Sequence, residues 1–165
     1  MAWGGFAIAL LLTYLVQTGV TALLPVPGVD LFLVLALLCG LLAPTHDARI
    51  AAWVVGFAQD LGSVDALGIH AFTLGLSAWL LTYLREIINV RAWWVRALAA
   101  LLAAWPGQLT YLLHVHYWAG SGDASLGGLL AAATLTAAVA AALAMLINAL
   151  PGVVRRRRRF RPLRV

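Results

Sequence analysis

Residues 6–24 run for nineteen positions without a charged side chain. As a helix this run is about 28 Å long, the thickness of a bilayer's hydrocarbon core. Five further apolar segments follow, at 31–43, 50–62, 68–84, 95–114 and 126–150. The second and third have thirteen residues each, a length that also suits a buried or re-entrant helix. The last, about 37 Å as a helix, must tilt or extend past the hydrocarbon. The stretches between segments leave no room for a separate aqueous catalytic domain of the usual ~50 residues or more. Hydrophobic residues make up 64% of the 165-residue chain and charged residues 10%, against roughly a quarter charged in a soluble domain. On this reading a water-soluble globule is excluded. The expected fold is an all-α membrane protein, a compact bundle of six transmembrane helices over residues 1–150, followed by a basic cytoplasmic tail at 151–165.

The first segment is expected to stay in the mature chain. Residues 1–5 carry no Lys or Arg, and no clean small-x-small cleavage site precedes the turn residues Pro25, Pro27 and Gly28. The single cysteine, Cys39, has no partner for an internal disulfide and reads as a small buried hydrophobe.

Every basic residue is an arginine, and seven of the eleven follow Pro151. Positive loops stay cytoplasmic. Placing the tail inside and threading backward through six crossings puts Arg85, Arg91, Arg96, Arg49 and the N-terminus inside as well. If 50–62 failed to cross, Arg49 alone would be misplaced. Trp3, Trp53, Trp93 and Trp94 then fall at inner ends and Tyr117 and Trp118 at an outer end, where amphipathic rings prefer the headgroup layer. The inner stretch 85–96, mixing isoleucine and tryptophan with arginine, suits a short interfacial helix or an anchored loop. The expected location is a bacterial inner membrane, multi-pass, with both termini cytoplasmic.

Helices in lipid associate through close backbone approach and hydrogen bonds, so small residues mark their contacts. In the last segment an i, i+4 ridge reads Gly128, Ala132, Thr136, Ala140, Ala144, Asn148. It can receive a neighbour from this chain or from a partner. Pro106 and Gly107 interrupt the fifth segment and permit a bend or a kink.

The chemically unusual stretch is 56–70, where Asp60, Asp65 and His70 gather near the outer ends of the third and fourth segments. A carboxylate at membrane depth faces the bundle interior and has a partner. Asp60 therefore reads either as a functional group or as an acceptor for the unpaired amides that open the next helix, with Ser63 and Asp65 as further caps. Asp30, before Leu31, reads as a cap. His114 and His116 lie two apart, on nearly opposite helix faces, and no HExxH, GxSxG or paired-cysteine spacing occurs. No catalytic residue, metal or cofactor is expected. The tail cluster of Arg155, Arg156, Arg157, Arg158, Arg159 and Arg161 is expected to contact anionic lipid, each arginine contributing about 1 kcal/mol near the surface. With no folded basic domain or stacking platform, nucleic acid is not an expected partner.

Residues 25–79 resemble MreD, the small polytopic protein of the bacterial rod-shape machinery. The resemblance lies in order and spacing. Asp30 opens a short leucine-rich span (Leu31, Phe32, Leu33, Val34, Leu35), Pro44 marks an inner turn, and Gly56 is followed by Asp60 and then by Leu67 and Gly68. The chain departs from the family pattern in having Ala52 four residues before Gly56, and Val64 where a glycine is common. The resemblance implies a non-enzymatic membrane scaffold that binds MreC and helps couple RodA and its penicillin-binding transpeptidase to MreB filaments. In that picture Gly56, Asp60, Gly68, Gly128, Ala132 and Ala140 shape the bundle or meet the partner. MreD-like proteins also look like the substrate-binding subunits of energy-coupling-factor vitamin transporters, which share a six-helix plan and supply the alternative. Those subunits dock their ATPases through an Ala-x-x-x-Ala pattern in the first span, for which the nearest equivalent here is Gly5 and Ala9.

Overall fold

A computed structural model describes residues 2–23, 29–63, 66–88, 93–117 and 126–149, without side-chain detail at 20–23, 93, 112, 115–116, 126, 129 and 147–149. Among the described residues the chain is all-helical, with α1 Trp3–Leu23, α2 Leu31–Leu42, α3 Thr45–Gly62, α4 Ile69–Ile87, α5 Trp93–Tyr117 and α6 Leu126–Ala149. The tail, the turn at 25–28, and Val64 and Asp65 lie outside the described residues.

The sequence predicts α3 to begin at Ile50, with Pro44, Thr45, His46, Asp47 and Arg49 as a polar turn. Instead the helix begins five residues earlier. Pro44 at φ −57° sets the entry, and its carbonyl takes the Ala48 N–H at 2.9 Å. Asp47 in the first turn favours a helix start through the macrodipole. Arg85 likewise belongs to α4, which runs on to Ile87, and Trp93 opens α5. The expected interfacial segment 85–96 is therefore divided between two helices, with 89–92 outside the described residues. Pro106 does not break α5. Thr110 Oγ1 donates to the Pro106 carbonyl at 2.8 Å one turn on.

The six expected helices are present, but among the described residues none is long and apolar enough to cross a membrane. For α2, α3 and α4 the reasons are local. The twelve residues of α2 reach about 18 Å. Asp47, Arg49 and Asp60 interrupt α3, and α4 ends on Arg85 and Glu86.

The shortest helix is also the central one, since α2 touches all five others. A helix that is apolar all round must be buried, and α2 hides Phe32, Leu33, Val34, Ala36, Leu37 and Leu41. Around it the core is built mainly from small side chains. Ala51 and Ala52 of α3, Ala99 and Ala103 of α5, and Ala137 and Ala140 of α6 are all buried. The closest packing is at the α3–α4 hairpin. A methyl group at Gly56 would overlap the Ala71 Cα and the His70 carbonyl, so only glycine lets the two backbones approach this far. On α5, Gly107 lies against Ser77 and the Thr73 carbonyl of α4 in the same way.

Candidate functional site

The hairpin carries the polar cluster at its α3-to-α4 turn. Gly68 adopts the left-handed conformation at φ 99° and offers α4 no side-chain cap. The opening amides of α4 are instead taken by Asp60, reaching across from the last turn of α3. Its Oδ2 accepts from Gly68 N at 3.0 Å and Ala71 N at 3.0 Å, and its Oδ1 from His70 N at 2.9 Å. The His70 ring adds a fourth contact, with Nδ1 2.9 Å from Oδ1. The Asp60 side chain is fully buried and that of His70 is 12% exposed.

Four donors saturate the two oxygens. An ionised carboxylate can satisfy all four, whereas a protonated one would lose acceptor capacity. The positive end of the α4 dipole stabilises the same negative charge. Of the two readings open to Asp60, the geometry puts it in the amide-capping role. The His70 ring leans over Tyr111 of α5, with centroids 5.2 Å apart and planes at 41°, which ties the turn to the next helix.

A second polar junction surrounds the start of α2. Asp30 caps it, accepting from Phe32 N at 2.9 Å and Leu33 N at 3.3 Å. Gln59, beside Asp60, donates its amide to Asp30 Oδ2 at 3.2 Å. Gln17 of α1 accepts the Leu31 N–H at 3.0 Å, and Thr136 of α6 accepts the Asp30 N–H at 3.3 Å. Four helices are thus joined at one point, and Gln17 and Gln59 are members that sequence reasoning missed. A lone glutamine inside an apolar run was the available signal. The junction is deep, since Thr136 stands ten residues inside α6, about 15 Å from its start. Gln59 Oε1 and Trp105 Nε1 are buried with no hydrogen-bond partner among the described residues.

The opposite end of the hairpin carries Arg49 and Arg85, with Asp47 and Glu86 on the same turns. Arg49 Nε donates to Thr82 Oγ1 at 3.0 Å. Arg85 donates to the carbonyls of Gly40 and Ala43, the latter at 2.9 Å, and so caps the negative end of α2.

The α6 ridge divides along its length. Thr136, Ala140 and Ala144 are buried in the bundle, which packs α6 on α5 and α2. Ala132 is half-buried and Gly128 exposed. The lower ridge is thus filled from within the chain. Gly56 and Gly68 stand at the hairpin, one at the close approach and one at the turn, with Asp60 between them. The expected lipid contacts Arg155, Arg156, Arg157, Arg158, Arg159 and Arg161 lie outside the described residues. Among the described residues no group of three or more His, Cys, Asp or Glu side chains is placed to hold a metal ion.

No family model, no curated protein and no solved structure matches the chain.

Proposed function

We propose that the chain is a non-enzymatic, lipid-embedded scaffold of the MreD kind, a helical platform that receives the transmembrane helix of MreC and helps couple RodA and its transpeptidase to MreB. The observation that carries the membrane part is the inverted distribution of side-chain size and polarity. Around the buried leucines and phenylalanine of α2, the interior is filled largely by alanine, with Ser77, Thr73, Thr82 and Thr136 also buried. Large apolar groups such as Leu15 (57% exposed), Phe57 (49%), Trp94 (58%) and Leu146 (62%) face outward. The described charged side chains are buried, half-buried or in the end turns of helices. Exposed apolar area on this scale is foreign to a monomer in water. It suits a bundle whose helices meet through small residues in lipid. The support comes from the assembled exterior, in which the helices jointly present an apolar belt.

The rod-complex part rests on the order Asp30, Pro44, Gly56, Asp60, Gly68. The polar side chains at those positions are spent on holding helices together, as a scaffold requires and as a substrate pocket does not. The test is extraction in mild detergent followed by identification of the proteins that remain attached. The proposal expects a single-span MreC-like protein together with RodA. Recovery of an ATPase pair, or of a bound vitamin-sized ligand, would instead favour the transporter subunit.

A further inference from the structure

The carboxylates of Asp60 and Asp30 belong to neighbouring clusters but differ in how they are satisfied. Four donors saturate Asp60, the His70 ring among them. On Asp30 only Oδ1 is well served, by the amides of Phe32 and Leu33, while Oδ2 has the single long contact from the Gln59 amide at 3.2 Å. Among the described residues no cationic side chain pairs with Asp30. The charge that reaches it is that of His70, whose ring Asp60 already holds. Arg49 lies about 15 Å from Gln59 along α3, and Arg85 caps the far end of α2. The starts of α2 and α4 each contribute about half a positive charge to the carboxylate that caps them. With a neutral imidazole, about one negative charge is left uncompensated, and Asp30 is the carboxylate with room to receive a partner.

A second observation, independent of charge, points to the same place. Gln59 Oε1 is buried without a donor among the described residues, on the amide whose nitrogen touches Asp30 Oδ2. Turning the amide over would bury an unpaired N–H group instead and set Oε1 against Oδ2, two acceptors with nothing between them. A single group that takes oxygen lone pairs satisfies both atoms at once. Gln17 and Thr136 bring further oxygens to the same helix start, where they accept the amides of Leu31 and Asp30. This donor set is one carboxylate among neutral amide and hydroxyl oxygens, the hard, singly charged kind that suits a small monovalent cation. Asp30 is half-buried, which leaves an ion an entry path.

We propose that the junction binds one small monovalent cation, an alkali-metal ion or a primary ammonium group, between Asp30 Oδ2 and Gln59 Oε1. The ion neutralises the Asp30 charge and fastens α2 to α3 where α1 and α6 already meet it. The site goes beyond the scaffold reading and does not depend on it, because the charge count and the unpaired oxygen are the same in lipid or detergent.

The full chain is purified in mild detergent and its thermal unfolding followed by circular dichroism at fixed pH and ionic strength, with sodium, potassium or ammonium chloride replacing choline chloride. A ligand of the folded state raises the midpoint saturably. That rise is expected with at least one of the three ions and not with choline. A response to sodium or potassium identifies an alkali-metal site, and a response to ammonium alone identifies a site for an amine; both support the proposal. Gln59→Leu removes the unpaired oxygen and leaves both amide bonds to Asp30 Oδ1 in place, and its midpoint is expected to be the same in all four salts. Asp30→Asn removes the charge and is expected to lose the response as well. If Asp30→Asn does not fold, Gln59→Leu decides alone. Equal wild-type midpoints in all four salts would overturn the site. A full response retained in Gln59→Leu would place the ion elsewhere and would also overturn it.

Discussion

The His70 Nδ1 lies 2.9 Å from Asp60 Oδ1, and the same oxygen takes the His70 backbone N–H at 2.9 Å, so one carboxylate fixes both the main chain and the ring of one residue. With Gly68 N and Ala71 N on the other oxygen, the turn between α3 and α4 is organised around one buried charge. Removing that charge should therefore affect the hairpin as a unit.

Asp60→Ala leaves the amides of Gly68, His70 and Ala71 without their acceptor and is expected to cost about 2–4 kcal/mol of stability. Asp60→Asn should cost nearly as much. Its amide nitrogen would turn donors toward amides that are themselves donors. Thermal unfolding followed by circular dichroism in detergent reads the loss. On the scaffold account, both variants insert normally but retain less partner on co-purification.

Gly56→Ala places a methyl group against the Ala71 and His70 backbone, where no flexible side chain can give way. A loss of about 1–3 kcal/mol is expected. Gly4, which meets nothing within 4 Å, supplies the control. Gly4→Ala should leave the unfolding midpoint unchanged or slightly raised, because alanine is the better helix former.

Gly68→Ala tests the turn separately from the carboxylate. At φ 99° any side chain is strained, by about 1–2 kcal/mol, although a Cβ there would meet open space. The expected result is a smaller loss than for Asp60→Ala. A loss as large as that of Asp60→Ala would point to a clash that the structure does not contain.

The α6 ridge predicts opposite outcomes at two positions. Ala140 is wholly buried, so Ala140→Leu should overpack the contact with α2 and α5 and cost about 1–3 kcal/mol. Leu146 is 62% exposed, and Leu146→Ala should leave the stability of the isolated protein in detergent within about 0.5 kcal/mol. Unfolding of the two purified variants under one detergent condition makes the comparison.

The number and order of helices were legible because each is an apolar run bounded by Pro, Gly or charged residues, as at Pro44 and Gly68. The start of α3 was not. Thr45, His46, Asp47 and Arg49 look like a turn by composition, while Pro44 and Asp47 are as much a helix-opening pair as a polar loop. That Asp60 is buried followed from the cost of a lone carboxylate among apolar residues. That it accepts the opening amides of the next helix was one of its two readings; which amides, and the added contact of the His70 ring, could not be read from the sequence, because their direction depends on the left-handed turn at Gly68. The junction of Gln17, Asp30, Gln59 and Thr136 was hidden for another reason. Its members are as far apart as 119 positions in sequence, and only the central place of α2 brings them together.

The account depends most on the large apolar exterior facing lipid rather than water. Fractionation of cells producing the full chain, with the membranes washed in alkaline carbonate and the chain then released by mild detergent, tests this directly. The account predicts that the protein stays in the washed membrane pellet and enters detergent as a folded helical bundle. Recovery of folded, helical protein in the carbonate or aqueous supernatant without detergent would contradict it.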